Sequence, residues 1–369
     1  MKKILVVFGT RPEAIKMAPL VKELYQHTEF DTKVCVTAQH REMLDQVLEF
    51  FKITPEYDLN LMKPNQSLNE LSARILTAID KALIDFEPDL VLVHGDTSTS
   101  SMVALAAFHR GIKIGHVEAG LRTYNKLAPY PEEINRQITG RLADIHFAPT
   151  QQSAQNLLNE GVLSNAVHIT GNTVIDALLW GIKNINKERT DIKEINTFLD
   201  RNKKLIVVTG HRRENFGDKF YEFCSALKEL AIREDVQLIY PVHLNPNVQK
   251  VVYDTLGNLK NILLIAPLDY EAFIWLLDQS YLIITDSGGV QEEAPSLKKP
   301  VLVTREVTER QEAVEQGTVK LVGTNKEKIV KEATILLDNE IAYENMIGNK
   351  NPYGDGTAAK QIVTFLKHF

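Results

Sequence analysis

Hydrophobic positions along this chain fall into short, nearly continuous apolar runs, not alternating ones. In the first half they are Ile4–Phe8, Lys33–Thr37, Leu90–His94, Lys113–Val117, Ile145–Ala148 and His168–Thr170. In the second half they are Leu205–Thr209, Gln237–Tyr240, Ile262–Ile265, Tyr281–Thr285, Pro300–Thr304 and Val319–Val322. Each is followed by a turn and a longer stretch with helical spacing. A strand apolar on both faces must be covered on both, so the pattern predicts parallel sheets with helices packed on either side. Six such strands per half predict an α/β protein of two doubly wound, Rossmann-like domains. The segment Ile182–Lys204, rich in Lys, Asn, Asp and Glu, predicts helix but no strand. It reads as the connection between an N-terminal domain (1–175) and a C-terminal domain (200–350).

Composition narrows the classes of function. The chain has 369 residues, enough for both domains, and a formal net charge of −6. That balance argues against a nucleic-acid binder, which needs a basic surface for phosphate contacts. The two cysteines, Cys35 and Cys224, lie far apart and show no metal-ligand spacing, so buried thiols and no metal are expected. Met1-Lys2-Lys3 precedes an apolar run too short for a signal-peptide core, and no stretch is long enough to span a bilayer. A cytoplasmic protein without membrane partners is expected.

In open parallel sheets, ligands bind outside the carboxyl ends of the strands, and two such domains facing each other would form a cleft there. The first strand runs into Gly9-Thr10-Arg11-Pro12-Glu13, where Thr10 and Glu13 make a capping box. The helix start offers free N–H groups to an anion, with Arg11 and Lys16 beside it. A well-capped surface helix with solvated cations is the alternative. Asp96 and Glu118 follow neighbouring strands, and Pro129-Tyr130-Pro131 could bring Glu132 to the same rim. Converging carboxylates repel one another and should raise at least one pKa, as acid–base chemistry needs. Alternatively, Asp96 caps a helix and Glu118 pairs with Arg122.

The second half offers cations and glycines. His211, Arg212 and Arg213 follow the strand Leu205–Thr209, a group suited to a diphosphate. His243 follows another strand. Thr285-Asp286-Ser287-Gly288-Gly289 leads into a helix start, where glycine lets the backbone approach a phosphate. Glu292 or Glu293 could meet ribose hydroxyls, and Arg310 adds a further cation. The letters Gly354-Asp355-Gly356-Thr357-Ala358-Ala359 fit a dinucleotide fingerprint but follow no strand, so NAD is not expected.

These motifs resemble the bacterial non-hydrolysing UDP-N-acetylglucosamine 2-epimerases. The resemblance is carried by Phe8–Pro19, Thr37–Arg41, Val93–Thr97, Gly115–Thr123, Thr170–Thr173, Leu282–Leu297 and Asn351–Gly356. It implies a GT-B architecture with UDP held mainly by the second domain. It also implies a homodimer, with the last helix (about 355–369) packed back on the first domain, and no cofactor. Matching positions place Asp96, Glu118, Glu132 and His211 at the reaction centre. They place Arg11, Lys16, Phe273, Ser287, Gly288, Gly289, Glu293 and Arg310 at the nucleotide. The family is activated by its own substrate, and Gln39, Glu42, Glu132, Arg212 and His243 match that pocket or its rim. Gln311, Lys298, Asn65 and Glu42 depart from residues usual in relatives.

The implied reaction is reversible conversion of UDP-N-acetylglucosamine to UDP-N-acetylmannosamine, supplying bacterial surface polysaccharides. The C2 proton is not acidic beside an acetal carbon. Loss of UDP from C1 with removal of that proton gives 2-acetamidoglucal, and re-addition from the other face inverts C2. Departing UDP needs cations and helix N-termini, and the developing positive charge at C1 needs a carboxylate. Three rivals stand beside this reading: a hydrolysing epimerase releasing N-acetylmannosamine and UDP, a glycosyltransferase, and a non-catalytic nucleotide-sugar-binding protein.

Overall fold

Every apolar run read as a strand corresponds to one in the computed structural model, which describes residues 1–38, 41–63, 66–210 and 217–369. Gln39, Asn65, His211 and Arg212 lie outside the described residues. The chain forms two units, Met1–Trp180 with Tyr353–Phe369, and Gly181–Pro352.

The first unit holds β1 (Lys2–Phe8), β2 (Phe30–Val36), β3 (Tyr57–Asp58), β4 (Leu90–His94), β5 (Lys113–Val117), β6 (Ile145–Ala148) and β7 (Val167–Ile169). They make one parallel sheet in the order β3-β2-β1-β4-β5-β6-β7. The second unit holds β8 (Lys204–Thr209), β9 (Val236–Pro241), β10 (Ile262–Ile265), β11 (Leu282–Thr285), β12 (Val301–Val303) and β13 (Val319–Leu321). Its sheet runs β10-β9-β8-β11-β12-β13, again parallel. Both orders reverse direction between the first and fourth strands, at β1/β4 and at β8/β11. Those switch points leave a crevice at the carboxyl ends of the strands, where ligands bind in such sheets. β3 was not predicted, because two residues show no hydrophobic period; it exists by pairing with Cys35 and Val36.

The continuous apolar strands are buried as expected. In the first unit Leu5, Val7, Val91 and Val93 pack with Ile75, Ile79 and Val103. In the second, Ile206, Val208, Leu238 and Ile284 pack with Phe223, Leu227 and Val252. Each large apolar side chain buried this way contributes about 1.5–3 kcal/mol. Cys35 and Cys224 are buried free thiols, and burial pushes the Cys224 thiol up to about 12.

The segment read as a connection is packed on the second unit. Asn186 N–H donates to Glu271 (2.6 Å), and Arg189 reaches Glu271 (2.8 Å) as well as Asp191 and Asp269. The last helix, Ala358–His368, lies in the first unit. Its first N–H groups, from Ala358 and Ala359, donate to Asp176 at 3.2 and 2.9 Å, and Lys2 Nζ donates to the Leu366 carbonyl at 3.0 Å. The fingerprint-like glycines sit in the turn that starts this helix, and the element before them is a helix, Glu340–Ile347, not a strand.

Gly120, between β5 and the loop beyond it, has φ +90°. A Cβ there would stand 2.1 Å from the Ser153 carbonyl oxygen. That contact is with backbone and cannot be relieved by a rotamer change. Gly120→Ala is expected to destabilise the protein by at least about 3 kcal/mol, read as a lower urea midpoint. No helix among the described residues is long and apolar enough to cross a membrane.

Candidate active site

In the first unit the site is built on the turns after β1, β4 and β5. The helix Arg11–Leu24 starts with the capping box read from sequence: Thr10 accepts from Glu13 N–H, and Glu13 accepts from Thr10 N–H at 2.8 Å. Glu13 does more than cap. Its carboxylate is buried and also accepts from Gly9 N–H (3.0 Å), Thr10 Oγ1 (2.9 Å) and Thr97 Oγ1 (2.7 Å). Burial raises its pKa and these donors oppose that rise. Glu13 thus ties the β1 turn to the β4 turn, on which Asp96 sits.

Thr97, not Asp96, caps the helix Ser98–His109. Asp96 instead receives a short hydrogen bond from Arg136 Nη2, and its side chain remains 26% exposed, open to a ligand. Arg136 also lies 3.4 Å from Glu133. Glu133 is fully buried and accepts from Thr123 N–H and Tyr124 N–H, both at 3.0 Å, and from Gln137 at 2.8 Å. It holds the loop leading to the prolines. Its neighbour Glu132, in the first turn of the helix Glu132–Leu142, is half-buried and makes no hydrogen bond or ion pair among the described residues.

Glu118 leaves β5 in the left-handed region, at φ 59°. That backbone turns its carboxylate toward Lys16, which donates a short hydrogen bond to it; Asn172 Nδ2 donates at 2.8 Å, and His94 Nε2 lies 3.7 Å away. Arg122 is engaged by Glu160 through two bonds of 2.7 and 2.8 Å, so the alternative Glu118–Arg122 pair does not form. Burial alone would raise the Glu118 pKa, but the Lys16 ammonium and His94 hold it well below the usual carboxylate range. Repulsion among carboxylates was expected to push one pKa up; at Glu118 the cation beside it prevails. Behind it, His116 donates from Nε2 to the Gly95 carbonyl at 2.7 Å. Burial lowers the His116 pKa to about 3, with His146 adding to the effect, so this ring is neutral.

Lys16, assigned to the nucleotide by resemblance, is committed to Glu118 in this structure. Arg11 opens the same helix, half-buried. Asp96, Glu118, Arg11 and Lys16 therefore share the edge formed by β1, β4 and β5.

In the second unit the ends of β8 and β11 are locked together. Thr209 and Thr285 share a hydrogen bond through their hydroxyls, and Asp286 N–H donates to Thr209 O at 3.2 Å. Ser287 N–H then donates to Thr285 Oγ1 at 2.9 Å, fixing the turn into the helix Gly288–Glu293. A Cβ on Gly288 would meet the Arg310 guanidinium at 3.0 Å, so that cation lies directly against the turn. Arg310 is aimed there by Glu292, which accepts at 3.0 and 2.8 Å. Of the two glutamates read as ribose partners, Glu292 is thus engaged by Arg310. Glu293 is buried and accepts from Tyr270 Oη at 3.3 Å. Phe273, half-buried, is on the same helix as Tyr270, Tyr270–Gln279.

The activator residues are less connected. Glu42 is exposed on the helix Arg41–Phe51 of the first unit. His243, exposed in the second unit, accepts on Nδ1 from Asn245 N–H at 3.1 Å. Gln39 and Arg212, like the catalytic candidate His211, fall outside the described residues.

Sequence reasoning missed the supporting groups: His94 and Asn172 on Glu118, Arg136 on Asp96, and Glu133 under the loop. Only the polar ending of β4 and the Gly171-Asn172-Thr173 exit after β7 hinted at two of them. Chemically, the first unit presents a permanent anion, a partly open carboxylate and a half-buried glutamate without a partner among the described residues. The second presents a glycine turn with a guanidinium laid against it, suited to phosphate oxygens.

Comparison with known proteins agrees with that chemistry. Residues 22–367 match the family model for UDP-N-acetylglucosamine 2-epimerase. The chain is 56% identical over 370 residues to the UDP-N-acetylglucosamine 2-epimerase of Escherichia coli (strain K12), covering 99% of this chain and 98% of that one. It is 57% identical over 372 residues to the Campylobacter jejuni protein of the same name, covering 99% and 97%. Among solved structures, the UDP-GlcNAc 2-epimerase from Neisseria meningitidis bound to UDP-GlcNAc is similar with a TM-score of 0.89 and 50% identity, over 100% of both chains. The S. aureus MnaA–UDP complex is similar with a TM-score of 0.87 and 49% identity, over 100% of this chain and 96% of that one.

Proposed function

This chain belongs to the UDP-N-acetylglucosamine 2-epimerase family, and from that premise we propose that it interconverts UDP-N-acetylglucosamine and UDP-N-acetylmannosamine by elimination and re-addition of UDP. The observation that carries the mechanism is the state of Glu118, a buried carboxylate kept ionised by Lys16 at the exit of β5. Such a group supplies fixed negative charge where C1 becomes positive as UDP leaves. Asp96 and Glu118 lie nearest the proton transfer, and Glu132 supports them. Asp96 is held by Arg136 yet remains open to a ligand.

The leaving diphosphate calls for cations and backbone donors. In our reading Ser287, Gly288 and Gly289 meet its oxygens, Arg310 and Arg11 neutralise it, and His211 assists departure. Phe273 and Glu293 complete the nucleotide contacts. The Glu292–Arg310 pair supports this reading, because it holds the guanidinium against the glycine turn before any ligand arrives. The protein's own residues suffice for every step, so no cofactor is invoked.

Family resemblance also supports a homodimer, residence in the cytoplasm, and delivery of the product to surface polysaccharide synthesis. It supports activation by UDP-N-acetylglucosamine through Gln39, Glu42, Arg212 and His243.

Phosphorus NMR of the reaction with UDP-N-acetylglucosamine tests the reading. The expected outcome is a stable mixture of two UDP-sugars with no build-up of free UDP. Stoichiometric UDP and free N-acetylmannosamine would establish the hydrolysing reaction instead. Binding without conversion would leave a nucleotide-sugar-binding protein.

A further inference from the structure

A second concave site lies in the second unit, at the opposite ends of its strands from Ser287. The cavity has a volume of about 700 Å³ and is lined by Arg201, Lys203, Lys204, Lys299, Asp200 and Tyr281, among others. Lys203 and Lys204 lead into β8, Tyr281 precedes β11 and Lys299 precedes β12, all at the amino ends. Ser287 follows the carboxyl end of β11, so the length of that strand, about 13 Å at ~3.3 Å per residue, separates the two places. The volume lies within the range of small-molecule sites, about 300–1,000 Å³.

The charges of this cavity are unbalanced. Four of the named lining side chains are cations and one is a carboxylate. Asp200 is occupied, since its Oδ1 accepts from Asn202 N–H at 2.9 Å. None of the four cations forms an ion pair within 4.0 Å among the described residues. Lys203 Nζ donates to the neutral Asn261 Oδ1 at 3.0 Å. Lys204 Nζ donates to the Leu337 carbonyl and lies over the Tyr281 ring, 4.8 Å from its centre. The Arg201 and Lys299 side chains make no hydrogen bond among the described residues. Lys299 is half-buried, and burial lowers its pKa, with Asp278 opposing weakly. Lys204 also lies within electrostatic reach of Asp235 and Asp338, and Lys299 of Asp278, but none of these carboxylates lines the cavity. Positive charge therefore exceeds negative along its lining, and a bound oxyanion offsets that excess.

We propose that this cavity is a second binding site, for the phosphate or diphosphate group of a small metabolite, distinct from the sugar-nucleotide site. Exposed Arg201 supplies forked donors and half-buried Lys299 a point charge. Lys203 and Lys204 flank them. The inference rests on the second unit alone and stands whether or not the carboxylate chemistry proposed above is right.

The test is calorimetric titration of the full chain with sodium pyrophosphate, with UDP saturating and ionic strength held constant with KCl. Saturable one-to-one binding is expected. Lys299→Gln and, separately, Arg201→Gln should weaken it at least tenfold while leaving epimerisation of UDP-N-acetylglucosamine unchanged. Should Lys299→Gln fail to fold, the double variant Arg201→Gln/Lys203→Gln decides by the same loss. Absence of saturable binding to the unmodified chain, or undiminished binding to the folded variants, overturns the proposal.

Discussion

Asp96→Asn is expected to lower epimerase turnover by about 10³-fold, within the range that a lost general acid or base costs. Asn has nearly the same shape and can still accept from Arg136. Arg136 keeps Glu133 as a second partner at 3.4 Å, so the substitution does not leave a buried cation alone. The loss should therefore come from chemistry and not from folding. UDP affinity should change by less than about threefold, a small fraction of a kcal/mol to ~0.65 kcal/mol, because the proposed diphosphate contacts are made by Ser287, Gly288, Gly289 and Arg310. Turnover and UDP titration on the same preparation separate the two effects. Normal turnover in this variant would remove Asp96 from the reaction centre.

The second large effect concerns acid. His116 and His146 are buried, and burial lowers their pKa values to about 3 and about 4, His146 and Arg122 respectively adding to the shift. An unfolded chain binds protons at both near pH 6.5, whereas the folded chain refuses them until far lower pH. Their contribution is therefore complete above pH 6.5 and is lost as pH falls through the window toward 3. Between pH 6.5 and 4.5 the pair costs about 5 kcal/mol by proton linkage. Asp176 acts in the opposite sense: burial raises it to about 6, so its folded state gains as pH drops toward the unfolded value. That gain offsets about 2 kcal/mol of the loss by pH 4.5, and Glu13, also raised, pulls the same way. A net loss of about 2–3 kcal/mol between pH 7 and 4.5 is expected from urea unfolding at the two pH values. Equal stability at both would show that the two imidazoles are not held neutral.

Much of the architecture was legible because the strands are short, continuous apolar runs that alternate with helices. Strand-end positions then pointed to Asp96, Glu118 and the Ser287 turn. What local reading could not supply were partners from distant sequence. Lys16 looked like a phosphate ligand because it sits beside a helix N-terminus, but it meets Glu118, 102 residues away. Arg122 is four residues beyond Glu118 and looked like its partner, yet it is claimed by Glu160 at the end of another helix. Glu132 and Glu133 are indistinguishable in sequence. Helical rotation buries Glu133 under three donors and leaves Glu132 half-buried, with no hydrogen bond or ion pair among the described residues. Ile182–Lys204 lacked a strand and so read as a connection, while Arg189 fastens it to the body of the second unit through Asp269 and Glu271.

The central claim is that carboxylates of the first unit take the C2 proton and return one from the opposite face. Incubating the protein with UDP-N-acetylglucosamine in deuterated water, and following C2 by proton NMR, tests this most directly. The account predicts deuterium at C2 in both epimers, without added NAD or metal. Inversion that retains the original C2 proton would contradict it.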